Sequence, residues 1–541
     1  MKQKVFIISL LLASVICLGG GTLKNKANEI AENKLPNDSL AIYIDNEKTS
    51  EIPSKENYVF DDLSSQCNMA NLFWNNDLWA PVINVNEQLN ERLSCQLYFK
   101  KKYKESILNE NIPVLKENLI PVSIENDGTV KKADLASNWY SYENKKWANA
   151  VILEDETIHY KTGEVIPEDN IESYFVWIPK YRYKLWDLGN YNGLSAIVAN
   201  KVHEIEISFN ATNTSDNVTG ECTTPMTSGA TGNCKVGDYM THPSFISIPS
   251  TGFWVGKFET GYKGTIGSSN SYQPEKIVIK PNISDWRGIQ VANAHLNSFN
   301  YERHLDSHMM KNTEWGAVAY LSHSKYGIKN KVRLNNRSDF KTGYTAIKTP
   351  TCGYATESTD CNTYCADDSC NAPYNTSIGY LGSTTENISG IYDMSGGAWE
   401  YVMGVLQDER GLPVSGRNNL LNSGFNGKYS CPSCEVNASG TSKTDGILFP
   451  DARYYDSYIY ETDGYTFQRR ILGDATGELG PFASTSSWYS NYAWFVFKDL
   501  PFFARGGEGR QGVNSGIFAF GLDRGNASGT LTYRIILTPL N

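Results

Sequence analysis

Residues 505–537, RGGEGRQGVNSGIFAFGLDRGNASGTLTYRIIL, constrain the fold of this chain most. A glycine pair opens the stretch, an apolar strand is expected over 516–520, and a closing strand over 533–537. Polar loops separate them, the first running from the glycine pair to the strand and the second spanning 523–530. Gly506, Gly507, Gly512 and Gly516 supply backbone angles that other residues avoid, so the loops can be tight and defined. Loops held in this way by a sheet are where binding side chains tend to sit.

Three upstream segments share this grammar. Residues 253–259, FWVGKFE, read as a strand and a turn. Residues 312–321, NTEWGAVAYL, read as a helix with Asn312 or Thr313 as its cap and Glu314 in its first turn. Residues 391–402, IYDMSGGAWEYV, read as a tight turn entering a strand. With the RGG…GIFAF…R ending, these segments in this order resemble the formylglycine-generating-enzyme (sulfatase-modifying-factor) type of C-type lectin-like fold. The resemblance covers residues 170–541. It implies an α+β class: a C-type lectin-like domain with long loops over 166–541, preceded by small all-β modules. The remaining boundaries are a signal peptide at 1–21, a polar tether and β module at 22–103, and a short β or linker module at 104–165.

Composition narrows the function classes. The formal charge is −10 with no Lys/Arg stripe, which argues against nucleic acid as the partner. Residues 1–21 combine a short basic start, an apolar run and three glycines, the outline of an export signal. A membrane contact is expected only through an N-terminal anchor at Cys17, where Ile16 departs from the small residue of a lipidation motif. The expected location is secreted or at the cell surface.

In that compartment cysteines pair by default. Cys67 with Cys95 and Cys222 with Cys234 are the expected disulfides, and Cys352, Cys361, Cys365, Cys370, Cys431 and Cys434 supply the rest. Zinc held by Cys361, Cys365, Cys431 and Cys434 is the alternative. Trp139, Tyr140, Tyr142 and Trp147 form an aromatic group that reads as a mini-core, with sugar stacking as the alternative.

The formylglycine-generating enzymes carry an active-site cysteine pair in the segment after RGG. Residues 505–534 contain no cysteine, so no catalytic residue is expected. His304 and His308, four apart, with His323 beyond, are the metal-site alternative. The family also implies calcium near the turn at 393–400, through Asp393 and Glu400. The same ending resembles variable ligand-binding proteins diversified by retroelements. That resemblance makes Glu508, Arg510, Gln511, Val513 and Asn514 the ligand contacts of the first loop, and Asp523, Arg524, Asn526 and Ser528 those of the second. The expected function is non-catalytic recognition of a surface glycan or protein. A metal-dependent oxidoreductase with a displaced site and a structural envelope protein are the alternatives.

Overall fold

The computed structural model describes residues 4–9, 14–18, 39–67, 70–75, 79–85, 94–102, 111–186, 202–209, 236–246, 250–264, 269–347, 369–407, 422–425, 449–459, 471–479 and 485–539. A nine-stranded sheet occupies the N-terminal part. Its Ser94–Lys101 strand alternates buried and exposed positions, as SCQLYFKK requires of a strand with one covered face. Leu97 and Phe99 from this strand meet Ile42 and Phe60 in a small core of their own. Trp74 stacks on Phe60 with ring centroids 4.5 Å apart. Cys67 and Cys95 lie opposite one another in the ladder and form the expected disulfide. The Lys4–Ser9 and Ser14–Leu18 strands, inside the stretch read as an export signal, form a hairpin at the edge of this sheet beside Ala80–Val85.

A second sheet has seven strands. Ile171–Pro179 lies between Asn149–Leu153 and Gly252–Gly256, and every residue but Glu172 is buried, as the apolar run YFVWIP predicts. The Ile120–Ile124 and Val130–Lys132 hairpin, turning at Gly128, extends the same sheet through Asn149–Leu153. The boundary expected at 165/166 therefore falls inside one sheet. Trp139, Tyr140, Tyr142 and Trp147 are all buried. The Trp147 indole donates to the Tyr326 carbonyl at 2.8 Å, and the Tyr142 hydroxyl donates to that of Trp177 at 2.5 Å. They are core, so the sugar-stacking alternative for them falls.

A third sheet, also seven-stranded, carries the C-terminal motifs. Trp399–Gln407 pairs with Asp456–Ile459, Phe502–Gly506 and Leu531–Tyr533, and Phe502–Gly506 pairs in turn with Gly516–Asp523. Tyr454, Tyr455 and Tyr458 are buried. The closing strand differs from expectation. It divides into Leu531–Tyr533, in this sheet, and Ile535–Leu537, which pairs with Gly252–Gly256 and His308–Met309 in the second. Arg534 stands at the crossing and stitches the two sheets together.

The α+β C-type lectin-like class is not what the structure shows. Strands in several sheets dominate, and the α-helices among the described residues, Val291–Tyr301 and Asn312–Ser322, have 11 residues each. The reason is visible in the apolar pattern, which is alternating or continuous over five to nine residues in nearly every segment and helical in few. The helix expected near 312 is present, but its cap is Lys311, whose N–H donates to the Glu314 carboxylate at 2.8 Å. All of its residues are buried, so it has no solvent face.

Candidate functional site

The two arginines of the terminal motif are scaffolding. Arg505 is buried and donates through Nη1 to Asn312 Oδ1 and the Asp474 carbonyl, both at 3.0 Å, and through Nη2 to the Ala475 carbonyl at 3.0 Å. Arg534 is also buried. It grips both Glu400 oxygens, at 2.9 and 2.5 Å, and donates to the Gly256 and Tyr392 carbonyls at 2.8 and 3.1 Å. These bonds fix the relative position of the two sheets.

The same contacts bear on calcium, which takes six to eight oxygen ligands. Glu400 faces Arg534 with both oxygens, and Asp393 accepts from Asn335 Nδ2 and the Gly343 N–H at 2.9 Å. Both oxygens of each carboxylate accept hydrogen bonds from the protein, and among the described residues no three His, Cys, Asp or Glu side chains are placed to hold a metal ion together. The residues present do not fit a calcium ion. They belong instead to a buried carboxyl group set comprising Glu259, Asp285, Asp393 and Glu400. Burial first, and the other carboxylates second, push Glu259 well above its ordinary range. Burial raises Asp285 to about 8 against the pull of Arg287, and Asp393 to about 6. Glu259 Oε1 accepts from the Ala398 N–H at 3.0 Å, fixing the turn before Trp399.

The histidines do not converge on one helical face. His304 sits in a 3-10 turn against Glu302, His308 is in a short strand bonded to Glu314 at 3.0 Å, and His323 Nε2 bonds to the Tyr489 hydroxyl at 2.5 Å. The four cysteines of the zinc alternative, Cys361, Cys365, Cys431 and Cys434, lie outside the described residues, as do Cys222, Cys234 and Cys352. Cys370 is in a disulfide.

The first terminal loop is a rigid backbone with two outward side chains. Gly506 and Gly507 have φ of 85° and 80°. A Cβ on Gly507 would lie 2.6 Å from Ser515 Cα. The loop is tied inward by Gly509 N–H to the Gly397 carbonyl at 3.0 Å, and by Ser515 Oγ to the Glu508 carbonyl at 2.6 Å. The Val513 carbonyl accepts from Lys331 Nζ at 3.0 Å and Asn491 Nδ2 at 3.3 Å. Glu508 is buried and ion-paired with Arg510 at 2.5 Å, and the Gln511 side chain caps the Glu508 N–H at 3.3 Å. Glu508, Gln511 and Val513 thus hold the loop, and Arg510 and Asn514 are its exposed side chains. Gly507→Ala is expected to destabilise the chain by about 1–3 kcal/mol, from left-handed strain and the backbone clash together. A denaturation midpoint equal to that of the wild type would show that the loop is not held as described.

The second loop is anchored by Tyr401, whose hydroxyl shares its one proton between Asp523 Oδ1 at 2.5 Å and the Asn526 carbonyl at 2.8 Å. The Ser528 carbonyl accepts from Gly288 N–H at 2.7 Å. Arg524 is exposed and Asn526 half-buried. The two loops leave opposite ends of Gly516–Asp523, roughly 23 Å apart at the usual strand rise. They do not form one contiguous patch of polar loop residues.

What lies between them is aromatic. Trp399 reaches over Gly521, where a Cβ would meet its ring at 3.1 Å. Its ring packs edge-on against Tyr492, with centroids 5.8 Å apart, and Tyr492 stacks with Trp494 at 6.4 Å. All three are half-buried. Asn491, which holds the first loop, adjoins Tyr492, and Tyr401, which holds the second, is two residues from Trp399 on the same strand. The strip therefore runs from one loop to the other. Sequence reasoning missed Tyr492 and Trp494, although the i, i+2 aromatics of NYAW carry the strand-face signal.

No family model matches this sequence, and no curated protein shows significant similarity to it.

Proposed function

We propose that this chain is an exported, non-catalytic binding protein that recognises a glycan or protein on a surface. The observation that carries this reading is the contrast within one face. Its backbone is fixed by buried hydrogen bonds, while Arg510, Asn514 and Arg524 project outward and Trp399, Tyr492 and Trp494 stay half-open between them. A fixed backbone lowers the entropy lost on binding, and half-exposed aromatics with arginines are the side chains that anchor interfaces. The resemblance of the RGG…GIFAF…R ending to variable ligand-binding proteins supports the same reading. The buried carboxyls, by contrast, are sealed from solvent and serve the scaffold.

The test is an array of glycans and surface proteins probed with the full chain. A parallel sample carries Arg510→Ala, Arg524→Ala and Trp399→Ala. A ligand bound by the first and at least tenfold more weakly by the second is the expected result, an effect on the order of 1.4 kcal/mol. Equal binding by the two samples would remove the terminal face from the function.

A further inference from the structure

The N-terminal sheet and the second sheet belong to bodies that meet across a gap. Among the described residues no strand pairs across the junction, and the small core of Ile42, Phe60, Leu97 and Phe99 shares no side chain with the large one. A cavity of about 350 Å³ lies between them. Leu72 and Trp74 line it from the N-terminal body, and Leu119, Leu135, Leu153 and Ile158 from the second. Apolar walls separated by a void forfeit the close contacts that hold packed layers together. Over the area of the cavity the two bodies do not grip one another.

Polar contacts do cross the junction, and two of them end on one atom. Asp62 Oδ2, in the N-terminal body, accepts from Lys132 Nζ at 3.2 Å and from the Thr162 N–H at 3.0 Å. Both donors are fixed on their own side. Lys132 Nζ also donates to the Tyr160 carbonyl at 2.7 Å. The Lys132 N–H donates to the Glu164 carbonyl at 3.0 Å, and its carbonyl accepts from the Gly163 N–H at 2.9 Å. The catch therefore stays assembled whether or not Asp62 sits in it. The Lys132 and Asp62 side chains are 30% and 16% exposed, so water reaches the ion pair and weakens it. The N-terminal body has its own core and the Cys67–Cys95 disulfide to hold it together when apart. Bodies of one chain move relative to each other unless a large apolar interface prevents it.

We propose that the N-terminal body is a hinged arm, latched onto the second sheet by Asp62 and released as a folded unit when that carboxylate leaves its two donors. Release uncovers the apolar wall of the second body. The device is independent of what the terminal face binds.

The test is small-angle X-ray scattering of the full chain as wild type, Asp62→Ala and Lys132→Ala. Asp62→Ala removes both bonds and should lengthen the largest dimension by up to the length of the arm, roughly 26 Å along the Ser94–Lys101 strand of 8 residues. Lys132→Ala leaves the Thr162 N–H in place and should lengthen it less. Amide exchange across Ser94–Lys101 and Asn149–Leu153 should match the wild type in both variants, because the bodies part without unfolding. Asp62→Ala with the dimensions of the wild type would overturn the proposal. So would a longer chain in which exchange across Ser94–Lys101 has quickened, since the arm would then be unfolding rather than swinging.

Discussion

Arg534→Ala is expected to destabilise the chain by about 3–5 kcal/mol, the cost of stranding a buried charge by removing its partner. Arg534 and Glu400 are both fully buried, and the guanidinium spans both carboxylate oxygens. Its loss also removes donors to the Gly256 and Tyr392 carbonyls, which lie on strands and turns of different parts of the body. The damage should be larger than the single pair implies, because Arg534 also draws down the carboxyls of Glu259 and Asp393. Without it, three buried acids compete with no cation between them. Arg534→Met combined with Glu400→Leu should recover only part of the loss for the same reason, although an isolated buried pair is often replaced at little cost. Urea midpoints of the wild type, the single variant and the double variant check this. A single variant within about 1 kcal/mol of the wild type would show that the crossing between the sheets does not depend on this contact.

Much of the strand content was legible because it rests on local pattern. SCQLYFKK alternates, YFVWIP is continuous, and GIFAFGLD follows a glycine turn, and each is a strand in the fold. The Cys67–Cys95 bridge was legible because two isolated cysteines in one small β unit have few other partners. The α+β class was taken from the resemblance rather than from pattern, and pattern was the better guide. The break in the closing strand had a signal that was passed over, an arginine inside the apolar run YRIIL. Its partner was beyond local reading, since Glu400 lies 134 residues away. That distance is also why Asp393 and Glu400 looked like oxygen ligands. A motif shows the carboxylates and hides the cation that takes them. The separation of the two terminal loops was readable in principle, because a loop before a strand and a loop after it leave opposite ends. Tyr492 and Trp494 matter because Trp399 packs on Tyr492 across the sheet and Tyr492 stacks on Trp494.

Stability is expected to fall as pH rises from about 6.5 to about 8. Burial raises Glu478 to about 8, against hydrogen bonds from Tyr320, Tyr183 and the Gly473 N–H that favour its charged form. Asp285 is raised to about 8 for the same first cause. In each case the folded chain keeps a proton that the unfolded chain has released. The contribution is therefore complete below the ordinary carboxylate range and is lost as pH rises to the folded value. Below about 6.5 an opposite effect intervenes. Burial pushes His242 and His295 down to about 3 and His323 to about 4, so on acidification the unfolded chain gains protons there first. The histidines and carboxyls oppose one another on the acid side, and above 6.5 the carboxyls act without that opposition. Each contributes a slope of at most about 1.4 kcal/mol per pH unit. Glu478→Gln keeps the shape of the side chain and removes one titration. It should flatten the decline by about one proton's worth and raise the thermal midpoint at pH 8 relative to the wild type. Thermal midpoints from pH 5 to 9 for both chains decide the matter. A wild-type profile flat from 6.5 to 8, or an equal slope in Glu478→Gln, would mean that Glu478 is already ionised where it sits among Tyr183, Tyr320 and Gly473.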